Sequence, residues 1–313
     1  MLVFCLMTLA YVGLLLWVDR DRGLLAGFDR LHALLPTLLV FSLASYLARY
    51  ARWCWLLARA GTAIRPVRGL VAYLSGFAFT ATPGKVGELL RIRYFQPMGV
   101  SPALVVSAFV YERLFDLLVV LCLAGIAAAG FGVFPVVVVF VVLVLSTAFL
   151  LVKYPNCLLH TAGYLERHHL RRLARLAEVF ARGFANTAVW LTPLDLLVSF
   201  VTGLIAWGLT AYSFVLLLDQ FGLGVPSLLA FSLYPTAMLA GAASMLPGGI
   251  GSTEGVLIAL LAGLGVSLAN GTIAAIGIRI STLWFATLLG LVSILVLELF
   301  VKLDAKQNYL GHA

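Results

Sequence analysis

Seven ionisable residues, Glu88, Arg91, Glu112, Arg113, Asp116, Glu254 and Arg279, stand in strongly apolar surroundings, and Lys85 joins them in the stretch "ATPGKVGE". Carboxylates in a dry setting can exchange protons or partners, and arginines can hold an anion. Spacing favours pairing. Glu88 with Arg91 and Arg113 with Asp116 are i,i+3 neighbours that share a helix face, and Glu112 adjoins Arg113. Glu88 precedes Arg113 by 25 residues and Glu254 precedes Arg279 by the same 25, which suggests two ion pairs of one design.

Each glutamate follows a Pro-Gly-x-(Val/Ile)-Gly run, Pro83 to Gly87 in "ATPGKVGE" and Pro247 to Gly251 in "MLPGGIGSTE". Proline removes a donor and disfavours helix before it, and Gly84, Gly87, Gly248, Gly249 and Gly251 let the chain turn. A broken helix exposes backbone N–H groups that favour an anion, and Lys85 adds a formal positive charge to the first break. The residues expected to bind a substrate are therefore Pro83, Gly84, Lys85, Gly87, Glu88, Arg91, Arg113, Asp116, Pro247, Gly248, Gly249, Gly251, Glu254 and Arg279. A salt-bridge network or a pair of packing kinks would use the same residues structurally.

Other chemistry finds little support. Cys5, Cys54, Cys122 and Cys157 are single and widely spaced, and the adjacent His168 and His169 lack an i,i+4 partner, so no metal site or disulfide framework is expected. No activated Ser or Cys constellation is present, and "PGKVGE" is not a Walker loop, so neither catalytic residue nor cofactor is expected.

The elements that must position these groups follow from composition. Only 11% of residues are charged, against about a quarter in soluble domains, and the mean hydropathy of +1.07 makes a bilayer the solvent. The +8 formal charge therefore reports orientation rather than nucleic-acid binding. Apolar runs at residues 2–18, 33–48, 104–131, 133–152, 196–218 and 272–300 predict six transmembrane helices. The two Pro-Gly regions, about 69–95 and 227–265, hold segments too short to span and predict re-entrant hairpins. With both termini cytoplasmic, eleven basic residues fall inside, at 59, 65, 68, 153, 167, 171, 172, 175, 182, 302 and 306, and only Arg20, Arg22 and Arg30 fall outside.

The fold expected is an all-α polytopic membrane protein. It comprises a first transmembrane helix (1–18), an inverted-repeat unit (33–131), a transmembrane helix (133–152), a basic cytoplasmic amphipathic linker (153–193) and a second, inverted unit (194–301). In the linker, Leu173, Leu176, Ala177, Phe180 and Phe184 oppose Arg171, Arg175 and Arg182, which reads as a helix lying on the cytoplasmic leaflet. Inverted repeats with interrupted helices recur in secondary transporters.

"TATPGKVGELLRIRYF", "YERLFD", "MLPGGIGSTEGVLIALLAGLG" and the arginine of "AIGIRI" resemble motifs of the lysylphosphatidylglycerol synthase transmembrane family, the flippase-like domain. Arg49, Arg52 and Trp53 of "RYARW" look like that family's second helix. The resemblance runs from about residue 33 to 301. It implies an integral inner-membrane protein with a lipid-flipping role, whose substrate is an anionic-headgroup phospholipid, a polyprenyl-phosphate-linked lipid or a lipid of hopanoid synthesis. Family members with synthase activity carry a following aminoacyltransferase domain. The chain reaches Ala313 about a dozen residues past the last span, so a stand-alone member without that activity is expected. Lys85 departs from the arginine often found in similar motifs. Lipid-biosynthesis enzymes are possible partners, and the rival readings are an intramembrane enzyme and a non-transporting scaffold.

The topology has a direct check. In a background without the native cysteines, a cysteine at Arg172 should react with membrane-impermeant maleimide only after permeabilisation; labelling from outside would reverse the orientation.

Overall fold

Backbone amides in an apolar solvent must pair within their own segment, and the chain meets that demand with helices. The structure, a computed structural model, describes residues 25–126, 131–154, 156–168 and 170–310. The first transmembrane helix expected at 1–18 lies outside them. Among the described residues there is no strand. The helices are α1 (Leu25–Arg59), α2 (Pro66–Ser75), α3 (Pro102–Gly125), α4 (Phe134–Lys153), α5 (Asn156–Arg167), α6 (Arg171–Asn186), α7 (Pro193–Gln220), α8 (Ser227–Ala243), α9 (Ser252–Gly263), α10 (Leu268–Arg279) and α11 (Phe285–Leu310).

Helix starts carry the expected chemistry. Ser101, Thr192 and Ser267 accept from the N–H three residues on, at Leu104, Asp195 and Asn270, and Pro102 and Pro193 occupy first positions where a missing N–H costs nothing. A π-helical turn, Ile280–Trp284, joins α10 to α11.

Among the described residues, four stretches are long and apolar enough to cross a membrane: Leu31–Arg59, Phe134–Lys153, Pro193–Gln220 and Leu268–Phe300. These are expected spans 33–48, 133–152, 196–218 and 272–300. α3, 24 residues long, would extend about 36 Å at 1.5 Å per residue, but Glu112, Arg113 and Asp116 interrupt its apolar character.

α1 runs beside α7, α3 packs on α7 and α8, and α11 packs on α2 and on the short turn Gly76–Phe79 that follows it. One core gathers Leu38, Phe214, Leu233, Leu257 and Ile278 from α1 and α7 to α10. A second gathers Trp53, Tyr73, Phe95, Phe109 and Leu297 from α1, α2, α3, α11 and the segment after the first break. A third joins Val119 and Val120 to Val137, Val141 and Trp207.

The linker differs from the leaflet-bound helix expected of it. α5 and α6 form a helical hairpin, and α6 docks on α3. Phe180 and Phe184 pack against the second core, and Ala174 and Ala181 are buried. The aromatic part of the stripe packs on protein while Leu173 stays exposed, a division that periodicity does not reveal.

Gly290 sets one helix against a bare backbone: a Cβ there would lie 2.1 Å from the Ala78 nitrogen. Gly290→Ala should therefore lower thermal stability in detergent, by about 1–3 kcal/mol for overpacking. Gly255→Ala, where a Cβ meets nothing within 4 Å, serves as control and should hold or raise it by up to about 1 kcal/mol. Equal responses would mean α11 does not approach the 76–79 turn.

Candidate functional site

The two Pro-Gly runs interrupt helices and meet each other. α2 gives way to the Gly76–Phe79 turn, a break at 80–82, and helical turns over Pro83–Arg91 and on to Met98. The chain leaves α8 through residues 244–251 and restarts at α9. The backbones repeat. Gly84 (φ 59) and Lys85 (φ 56) are both left-handed, and so are Gly248 (φ 62) and Gly249 (φ 64). A Cβ on Gly248 would stand 3.1 Å from the Cα of Ala81, so the breaks touch. Lysine holds in the first half a conformation that glycine supplies in the second, and a non-glycine residue there is uncommon.

Charges placed among these breaks have almost no water, and they find one another. Arg52, Glu88, Arg91 and Glu112 have side chains at most 1% exposed, so each needs a buried partner. Asp116 accepts from Arg49 at 2.9 Å and from Arg52 at 2.6 Å. Glu112 lies 3.3 Å from both Arg52 and Arg113 and accepts from the Tyr73 hydroxyl at 2.6 Å. Glu88 accepts from Arg91 at 2.8 Å and from the Thr80 hydroxyl at 3.0 Å, and stands 3.9 Å from Arg113. Arg91 is boxed by the rings of Tyr73 and Trp53, 4.3 and 4.9 Å from its guanidinium carbon.

The second half is simpler and tighter. Arg279 Nε donates to Glu254 at 2.7 Å, and its Nη2 donates to the Gly248 carbonyl at 2.6 Å. Glu254 in turn accepts from the Gly251 N–H at 2.8 Å. The glutamate and arginine set 25 residues apart thus meet in both halves.

Two cavities flank the junction. A polar chamber of about 70 Å³ is lined by Arg49, Lys85, Glu88, Arg113 and Arg279, together with Ser42, Thr80, Thr210 and Thr282, and Tyr46, Phe77, Tyr234, Leu283 and Ala286 supply apolar wall between them. An apolar chamber of about 340 Å³ is walled by Leu117 and Val120 of α3, Phe140 and Val144 of α4, and Leu239 and Ala242 of α8. Lys85, Arg113, Trp207, Met238 and Gly248 belong to both walls. Trp207 presents its ring to two cations, the Arg49 guanidinium at 4.5 Å and the Lys85 ammonium at 6.0 Å, within the range of cation–π attraction. Tyr46, Trp207 and Thr282 sit near the middle of Leu31–Arg59, Pro193–Gln220 and Leu268–Phe300, so the polar chamber lies at mid-depth of the helices around it.

Of the residues singled out by sequence, Gly84, Lys85, Glu88, Arg113, Asp116, Gly248, Gly249 and Arg279 line one chamber or both. Pro83, Gly87, Arg91, Pro247, Gly251 and Glu254 are absent from both walls. They shape the breaks or brace the wall: Arg91 holds Glu88, Glu254 holds Arg279, and Gly87 donates to the Thr82 hydroxyl at 2.8 Å. The idea of two open helix starts needs correction for the second, whose Gly251 N–H is taken by the carboxylate of Glu254 three residues on. Arg279, too, has donors committed to Glu254 and Gly248. Arg113 is the most open member of the first network, with a side chain 16% exposed.

Sequence reasoning left Arg49, Arg52, Tyr73 and Trp207 out of the site. Arg49 and Arg52 carried a signal: two arginines at i,i+3 inside an apolar run need buried partners. Tyr73 and Trp207 carried none, since an aromatic residue in an apolar helix reads as core.

Long apolar helices around a chamber of buried, paired charges define a helical membrane protein. Residues 2–290 match the family model described as Lysylphosphatidylglycerol synthase TM region, and the chain belongs to that family. No curated protein matches the chain significantly.

The network predicts a coupled response. Asp116→Asn should cost about 3–5 kcal/mol in detergent unfolding, because it leaves two buried arginines short of a partner. Asp116→Asn combined with Arg49→Met should cost less than the sum of the single changes; additive losses would mean the pair does not interact.

Proposed function

We propose that this protein is a lipid flippase of the cell inner membrane that moves an anionic-headgroup lipid between leaflets by alternating access. In this reading it has six spans and two re-entrant hairpins related as an inverted repeat, with both termini cytoplasmic. The observation that carries it is the pair of chambers meeting at Lys85 and Arg113, one polar and cationic, the other apolar. An amphiphile needs that pairing: charged groups for the head and, beside them, apolar wall for the tail.

Both breaks belong at the midplane of such a carrier, where irregular backbone is tolerated only against protein or a water-filled cavity. Rocking of one unit against the other would close the chamber to one leaflet and open it to the other. Arg113 is the group best placed to take the headgroup, because its Nε has no hydrogen-bond partner and its side chain reaches both chambers. Arg279 anchors the opposite break. The protein is read as a carrier rather than an enzyme, and lipid-biosynthesis enzymes would supply or consume its cargo.

Reconstitution into liposomes with a leaflet-specific lipid assay tests the proposal. Translocation is expected for the wild type, and Arg113→Gln should slow it about 10- to 100-fold, the worth of one charge-assisted hydrogen bond, with the thermal transition retained. Lipid turnover would favour an intramembrane enzyme. A folded protein doing neither would favour a scaffold for lipid-biosynthesis enzymes.

A further inference from the structure

We infer that the headgroup accepted here is a terminal phosphate monoester, a dianion on a single lipid stem, in preference to a phosphodiester. The inference rests on the lipid-site reading above and narrows its substrate class. Two independent observations carry it, one of charge and one of size.

The charge observation is a surplus. The first network holds four arginines, Arg49, Arg52, Arg91 and Arg113, against three carboxylates, Glu88, Glu112 and Asp116. Arg279 and Glu254 cancel each other. Lys85 adds a further cation, with the ring of Trp207 as its contact and, among the described residues, no carboxylate paired with it. Two positive charges are thus uncompensated, and Lys85 and Arg113, the cations held least tightly, both reach the polar chamber. Uncompensated charge in a water-poor interior is costly, and a ligand of opposite charge removes the cost. A phosphomonoester has a second pKa near 6 and carries close to two negative charges above neutrality. A phosphodiester carries one, and a zwitterionic headgroup none.

The size observation concerns the polar chamber. At about 70 Å³ it holds roughly five water-sized centres, each taking about 10–15 Å³, which is the size of one phosphate group. One ester oxygen can leave across the shared wall of Lys85, Arg113 and Trp207 into the 340 Å³ apolar chamber. A second ester substituent, such as the glycerol or ethanolamine of a common phospholipid, would have to crowd the polar chamber beside the phosphate or leave by its open side. Unmatched donors suit the smaller group: Arg49 Nε and Arg113 Nε are buried without hydrogen-bond partners, and a terminal phosphate offers three acceptor oxygens.

The test uses the full-length protein in detergent at pH 7, with three probes: farnesyl phosphate, its methyl diester and inorganic phosphate. Farnesyl phosphate should bind at least about tenfold more tightly than either of the others, as one additional charge-assisted contact requires. Lys85→Gln should bring farnesyl phosphate and its methyl diester to within about threefold of each other. Equal binding of the monoester and the diester by the wild type would overturn the charge and size inference and leave the lipid site standing. Binding of inorganic phosphate as tight as that of farnesyl phosphate, or binding of none of the three, would overturn both.

Discussion

Charge compensation in an apolar interior is the constraint on which the structure turns. A lone arginine at the centre of a bilayer costs about 2.5–3.5 kcal/mol on insertion scales, and several unpaired ones would unfold a protein of ordinary stability. Every element that carries a charge inward is therefore obliged to meet another. Asp116 fastens α3 to α1 through Arg49 and Arg52, and Glu112 draws in Tyr73 from α2. Glu88 ties the first break to the same centre through Arg113. The network is thus a register device, since sliding any of these helices by one turn would strand several charges together.

Much of this was legible from residue types alone. Spans follow from runs of apolar residues, because bilayer thickness sets helix length. The breaks follow from Pro83 and Pro247 with the glycines after them, because the missing N–H and the left-handed backbone are local properties. The Glu88–Arg113 and Glu254–Arg279 meetings were readable because equal spacing in two similar segments implies equal geometry. Three-dimensional partnership was harder to read. Nothing local says that Trp207 of α7 lies over Arg49 of α1, or that the aromatic part of the α6 stripe faces α3 instead of lipid. Such facts depend on how helices distant in sequence pack. The capping of Gly251 by Glu254 was equally hidden, since a glutamate near a helix start reads as either a cap or a ligand.

The halves share a plan and differ in finish. In the second, Arg279 is saturated by a carboxylate and a backbone carbonyl, and the turn after its proline is made by Gly248 and Gly249, with Met245 the left-handed non-glycine residue ahead of it. In the first, Arg113 divides itself among three carboxylates at 3.2 to 3.9 Å, none of them tightly.

Lys85 shows what that asymmetry implies. Its left-handed backbone costs about 1–3 kcal/mol for a side-chain-bearing residue, where Gly249 at the matching place adopts a similar φ without penalty. The first break therefore carries local strain at the residue whose ammonium faces Trp207. Leaving the left-handed region would re-aim the lysine side chain, so its place over Trp207 is tied to that strain.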